Sequence, residues 1–204
     1  MTDPERISAT LVKQLRDVTG AGMMDCKNAL IEAAGDLTKA QEILRTKGLA
    51  GAQKRSGRQA KEGVIDAYIH LEGRIGAMVE VNSETDFVAR TDEFRRLARE
   101  IAMQVAARPE TRWIAAEDVP EDVVEAERKI YAEKAAAEGK PENVIDRIVE
   151  GQLKSFFKDT VLLEQPYIRE DSKTVRDLVS EVAAKVGENL VVRRFARFQL
   201  GEEV

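Results

Sequence analysis

Residues 11–30, LVKQLRDVTGAGMMDCKNAL, decide how the first part of the chain folds. They read as a helix, a tight glycine turn and a second helix. Leu11, Leu15 and Val18 recur at helical spacing, with Ile7 one turn earlier, and predict one apolar face. Asp3 and Pro4 supply an N-cap and a first-turn proline. Gly20-Ala21-Gly22 then breaks the helix with glycines that tolerate positive φ. The second helix carries Met23, Met24, Ala29, Leu30 and Ala33 and ends at Gly35. Adjacent methionines cannot both point fully inward on a helix, so one of the two is expected to face the core. Asp36 caps a third helix, whose Leu37, Ala40, Ile43 and Leu44 share a face before Gly48. Three short helices in about fifty residues make a bundle that is marginal alone.

Composition narrows the possible classes of protein. A length of 204 residues suits one medium domain plus a small one. Hydrophobic residues at 43% can build a core, but aromatics at 5% make that core aliphatic. A net charge of −5 argues against a general nucleic-acid binder, which needs positive surface to neutralise phosphates. The one cysteine, Cys26, excludes an internal disulfide and a zinc site of several thiolates, and the one histidine, His70, excludes a histidine cluster. The N-terminus carries Asp3 and Glu5 without the apolar stretch of a secretory signal, and no apolar run approaches the about 18 residues of a membrane span. A soluble, cytoplasmic protein is expected, with no metal and no cofactor.

Beyond the helices, TKGLAGAQKRSGRQAK (46–61) holds three glycines and five basic residues with no acid. It reads as a flexible solvated linker, or as a segment steering toward an acidic partner or ribosomal RNA. Residues 63–81 predict a β-hairpin with strands at 64–71 and 75–81 and a turn at Glu72-Gly73-Arg74. Phe94, Leu97, Ala98, Ile101, Ala102 and Val105 form a helical stripe that ends before Pro109. The charged, alanine-rich stretch 117–150 predicts two helices with Pro120 and Pro141 in their first turns and Gly139 as a C-cap between them. Residues 161–168 are loop-like or extended. Ser172 caps a helix carrying Val175, Leu178, Val179, Val182 and Val186. In the last strand, 190–200, Leu190, Val192, Ala196, Phe198 and Leu200 share a face, with Arg194 the exception, while Arg193, Arg197 and Gln199 face the other way. The sum is an α+β protein: residues 1–48 a three-helix module, 49–61 a basic linker, and 62–204 a small antiparallel sheet covered by helices.

The wording of residues 11–30 resembles the N-terminal signature of the elongation factor Ts family, the bacterial guanine-nucleotide exchange factors for elongation factor Tu. A second stretch, VNSETDFVARTDEF (81–94), is similar to the family's loop that enters the nucleotide site of elongation factor Tu. LLEQPYIREDSKTV (162–175) and VVRRFARFQLGE (191–202) resemble its closing segments. The resemblance implies a UBA-like N-terminal module. It implies that Thr85, Asp86, Phe87 and Val88 help dislodge the partner's magnesium ion, with Phe87 as the wedge. It implies that Lys13, Arg16, Met23 and Met24 dock on the partner's GTP-binding domain. On the residues alone, Phe87 also reads as a core residue of a short helix, with Asp86 as its cap. Longer family members have two related subdomains. Residues 110–160 are abbreviated here, which implies a homodimer that replaces the missing half.

Enzyme chemistry finds little support. TGAGMMDCK lacks the spacing of a phosphate loop, since position 25 is Asp rather than Gly and Lys27 precedes Asn28. His70 with Asp66 is the only conceivable acid–base pair, and no serine–histidine–aspartate set exists. The expected function is non-enzymatic: binding of elongation factor Tu in its GDP-bound and nucleotide-free forms, with GDP release. The other reading is a ribosome- or chaperone-associated binding module.

Overall fold

A computed structural model describes residues 7–202. Helices α1 (Ala9–Thr19), α2 (Met23–Glu32) and α3 (Leu37–Arg55) come first. Strands β1 (Glu62–His70) and β2 (Ile75–Ser83) follow, then the one-turn helix α4 (Asp86–Ala89) and α5 (Asp92–Ala107). After α6 (Glu121–Ala137) and α7 (Glu142–Thr160) come β3 (Pro166–Tyr167), β4 (Glu170–Thr174), α8 (Val175–Val186) and β5 (Val191–Gln199). The expected α+β class is what the chain adopts, with three N-terminal helices before a small antiparallel sheet. No helix among the described residues is long and apolar enough to cross a membrane.

Two compact units emerge, each drawn from separated stretches of chain. The first takes residues up to 64, 82–97 and 179–191; the second takes 65–81, 98–178 and the residues from 192 onward.

In the first unit, the three helices close on Val12, Leu15, Cys26, Ala29, Leu30, Ala33 and Ala40, with Ile7, Leu11, Leu37, Ile43 and Leu44 packed around them. Ser8 caps α1, its side chain accepting from the Leu11 N–H; Asp3 and Pro4, expected to do this, lie outside the described residues. Val18 is exposed rather than inward, because the buried line runs through Val12 and Leu15 toward Thr19, whose hydroxyl turns back to the Leu15 carbonyl at 2.7 Å. Gly20 takes φ 68° and closes the helix by donating to the Arg16 carbonyl. Neither Met23 nor Met24 faces the core: they are 59% and 64% exposed, since Cys26, Ala29 and Leu30 fill the inward side of α2. Asp36 caps α3 as expected, accepting from Thr38 and Lys39.

The flexible linker is corrected. Helix α3 continues through Gly48 and Gly51 to Arg55. Gly48 allows a close helix approach, since a Cβ there would lie 3.1 Å from Ala184 Cβ on α8. Arg55 donates to the Ala183 carbonyl, and the Asn189 side chain donates to the carbonyls of Ser56 at 3.2 Å and Arg58 at 2.8 Å. The basic stretch is therefore helix and then a pinned turn.

In the second unit the sheet has the order β1-β2-β5. The hairpin turn needs left-handed backbone at Leu71, Glu72 and Gly73. Ala77, Val79 and Val81 of β2 are buried, as are Ala98, Ile101, Ala102 and Val105 of α5. Arg99 on α5 pairs with Asp66, lies over the Tyr68 ring and donates to the Ala67 carbonyl. Arg197 on β5 donates from Nε to the Ala106 carbonyl, and its side chain is nearly buried. Helix α5 therefore covers one side of the sheet. The opposite side leaves Ile65, Ile69, Met78 and Phe198 exposed. The alternation expected for β5 separates Phe198 from Arg197 correctly, yet the arginine is the inward residue and the phenylalanine the outward one.

Helices α6 and α7 pack as a hairpin, with Gly139 at φ 71° between them and Pro120 and Pro141 at their N-caps. Buried Gln165 ties this end together: its Nε2 donates to Thr111 Oγ1 at 2.7 Å and the Asp159 carbonyl at 3.1 Å, and its Oε1 accepts from Gln104. Ser172 does not cap α8. It sits in β4, and Thr174 makes the cap instead, exchanging hydrogen bonds with Asp177.

Candidate partner-binding site

Residues 83–91 leave β2 and turn into α5 by way of a single helical turn. Thr85 is the N-cap of α4: its Oγ1 accepts from the Val88 N–H at 3.4 Å. Asp86 is not that cap; it pairs with Arg90 one turn on, at 2.7 Å. Thr91 closes the turn by donating its hydroxyl to the Val88 carbonyl, and Thr91 Oγ1 accepts from the Phe94 N–H at the start of α5. Both ends of α4 are thus fixed by threonine side chains, a use that follows from their short hydroxyls competing for nearby backbone. Phe87 stands on this turn 79% exposed. It contributes nothing to the core, where Ala89 and Phe94 are the buried residues of this stretch.

Glu188 and Asn189, which follow α8, hold the start of this loop. The Glu188 carboxylate accepts from Glu84 N–H at 3.0 Å, Thr85 N–H at 3.1 Å and Thr85 Oγ1 at 2.6 Å. Glu84 returns the contact, accepting from Asn189 N–H at 2.6 Å and pairing with Arg58 at 3.5 Å. Sequence reasoning passed over Glu188 and Asn189. The available signal was a polar Glu-Asn pair set directly between a helix-ending glycine and a strand.

Lys13 and Arg16 are exposed three residues apart on α1, and Met23 and Met24 are exposed in the first turn of α2. They flank the Gly20 turn. That turn borders a shallow concavity lined by Asp17, Val18, Gly20, Thr91, Glu93 and Lys185. Lys185 spans it, pairing with Glu93 at 3.0 Å on the first turn of α5 and passing beside Gly20. The helical turn and the stretch after α4 therefore meet across one lysine.

The only candidate acid–base pair is not assembled. Asp66 is engaged by Arg99, and His70 stacks on Tyr68 and shares a 2.9 Å hydrogen bond with its hydroxyl. Among the described residues no group of His, Cys, Asp or Glu is placed to hold a metal ion. Cys26 is buried, its thiol directed to the Ala21 carbonyl.

A family model described as Elongation factor TS matches residues 52–202. The chain is accordingly a translation elongation factor. It is 61% identical to "Elongation factor Ts" of Caldanaerobacter subterraneus subsp. tengcongensis, over 97% of this chain and 98% of that one. It is 60% identical to the protein of that name from Coprothermobacter proteolyticus, over 96% and 99%, and 55% identical to that from Thermotoga neapolitana, over 97% and 98%. The chain belongs to the elongation factor Ts family.

Proposed function

We propose that this chain binds elongation factor Tu carrying GDP, promotes release of the nucleotide and holds the empty form until GTP enters. The observation that carries this reading is Phe87, an aromatic 79% exposed on a helical turn fixed at both ends. An aromatic side chain is a rigid wedge with a large area to bury. Pushed against a nucleotide site, it can displace the magnesium ion that neutralises the phosphates of GDP. Thr85 and Val88 shape the turn, and Asp86, held by Arg90, keeps it closed. Lys13, Arg16, Met23 and Met24 dock the helical module on the partner's GTP-binding domain; exposed methionines suit such a surface because they are flexible and polarisable.

The division of work we propose is between the helical module 1–48, continued by the end of α3 and its pinned turn over 49–61, and the core 62–204. The proposed action makes and breaks no bond, so it is that of a binding factor rather than an enzyme and calls for no cofactor; the cytoplasm, where translation factors work, is its proposed location. Linkage requires reciprocity: the factor by which it weakens GDP binding is the factor by which GDP weakens its own binding. It speeds exchange, while nucleotide concentrations choose the direction.

The exposed sheet face of Ile65, Ile69, Met78 and Phe198 supports a homodimer. The homodimer would pair two chains through that face and bind two partners. Release of a fluorescent GDP from elongation factor Tu, chased with excess GDP, tests the main reading. Acceleration at substoichiometric amounts of this chain is expected. A folded chain that leaves the rate unchanged refutes exchange activity and favours a ribosome- or chaperone-associated adaptor.

A further inference from the structure

We infer that Glu188 is a positioning residue for the loop that carries Phe87, setting the pose of α4 from a point more than a hundred residues later in the chain. The inference rests on the reading of residues 85–88 as the exchange element. Three donors converge on one carboxylate: Oε2 accepts the N–H groups of Glu84 and Thr85, and Oε1 accepts the Thr85 hydroxyl. Hydrogen bonds to an ionised acceptor are shorter and stronger than neutral ones, and the hydroxyl contact, at 2.6 Å, is the shortest of the three. Because the Thr85 hydroxyl gives its proton to Glu188, its lone pairs are turned to the Val88 N–H, the contact that caps α4. Glu188 therefore orients the cap as well as the backbone before it.

The rest of the turn is built to hold Glu188 in place. Gly187 adopts φ 76°, which ends α8 with its N–H on the Ala183 carbonyl and swings the chain away from the helix. Asn189, itself buried, ties its side chain to the carbonyls of Ser56 and Arg58 and gives its backbone N–H to Glu84. The loop and the turn thus grip each other, Glu188 holding the backbone of 84–85 and Glu84 holding the backbone of 189. An exposed aromatic gains from being presented in one geometry, since a small misplacement of a working group costs rate out of proportion to its size.

The test uses Glu188→Ala and Glu188→Gln, each in the wild-type and Phe87→Ala backgrounds. Two readouts are taken: the maximal rate of GDP release from elongation factor Tu with the concentration giving half of it, and amide hydrogen exchange of residues 84–88 in the free protein. For Glu188→Ala the maximal rate is expected to fall by roughly tenfold while the half-saturating concentration moves less than about threefold. Exchange at 84 and 85 should rise while Val79 and Val81 stay protected. Glu188→Gln should recover part of the loss, because its single amide oxygen can keep the two backbone donors. It also serves as the readable variant if the alanine protein loses protection throughout. In the Phe87→Ala background Glu188→Ala should add almost nothing, because both act through one side chain. Unchanged exchange at 84–85, or a loss that multiplies fully with that of Phe87→Ala, overturns the inference. A wild-type chain that does not accelerate release overturns the functional reading instead, and hydrogen exchange alone then decides whether Glu188 holds the loop.

Discussion

Replacing Phe87 by alanine separates presentation from folding. With the side chain 79% exposed, about a fifth of its surface is covered in the free protein. Full burial of such a side chain is worth about 1.5–3 kcal/mol, so the variant should lose only about 0.3–0.6 kcal/mol of stability. A core phenylalanine cut to alanine would lose about 3–5 kcal/mol. The remaining four-fifths, covered only when the partner is engaged, represents about 1.2–2.4 kcal/mol on the same scale. If that energy is expressed in the state from which GDP departs, release should slow by roughly 8- to 60-fold. Urea denaturation gives the first quantity, and stopped-flow loss of a fluorescent GDP from elongation factor Tu gives the second. A stability loss near that of a core residue would contradict the exposed placement. A release rate equal to wild type, at saturating protein, would refute the wedge.

Four further outcomes are expected. Gln165→Leu should cost about 1–3 kcal/mol in urea unfolding, because it removes three buried hydrogen bonds, leaving Gln104 Nε2 only the Pro166 carbonyl, the Thr111 hydroxyl only the Arg108 carbonyl, and the Asp159 carbonyl without this donor; an unchanged midpoint would show that the network contributes nothing. Gly48→Val should destabilise by about 1–3 kcal/mol, since Ala184 Cβ lies 3.1 Å from where its Cβ must go; a variant of wild-type stability would show that α3 and α8 separate freely. Burial and the hydrogen bond to Glu100 push the Tyr167 hydroxyl up to about 12 from 10.0. The unfolded chain therefore releases that proton first, so stability should fall as pH rises from about 10 to about 12. Thermal melts across that range should show a smaller fall for Tyr167→Phe, and equal slopes would refute the assignment. Phe198→Glu places a charge on the exposed sheet face and should shift the chain from dimer to monomer in light scattering; a wild-type chain that is already a monomer would refute the pairing.

The parts of the fold carried by periodicity were legible in the sequence. Gly20 and Gly35 mark real helix ends because both need positive φ, and the hairpin turn falls where Glu72-Gly73 predicts it. Glycines that serve packing read wrongly. Gly48 looks like a stop but is a place of close approach to Ala184, a partner that lies far along the chain. Val18 and the two methionines misled for the converse reason: apolar residues at helical spacing imply a core, and nothing local says that Val12 and Cys26 have already filled it. In the candidate site, it is the resemblance to a family loop that points to the Thr85–Val88 segment, and the helical turn there is what the structure adds. Its support was not legible, because Glu188 and Asn189 acquire meaning only through long-range hydrogen bonds to backbone, which no short motif records.

The clasp between Thr85 and Glu188 joins residues 103 positions apart. During synthesis the loop bearing Phe87 has its local caps at Thr85 and Thr91, but it lacks the Glu188 clasp until α8 has been made. Contacts of such separation form late and slowly. A nascent chain that has not reached residue 188 would carry its aromatic turn unfastened, and the turn after α3 would lack the Asn189 side chain that pins it at Ser56 and Arg58.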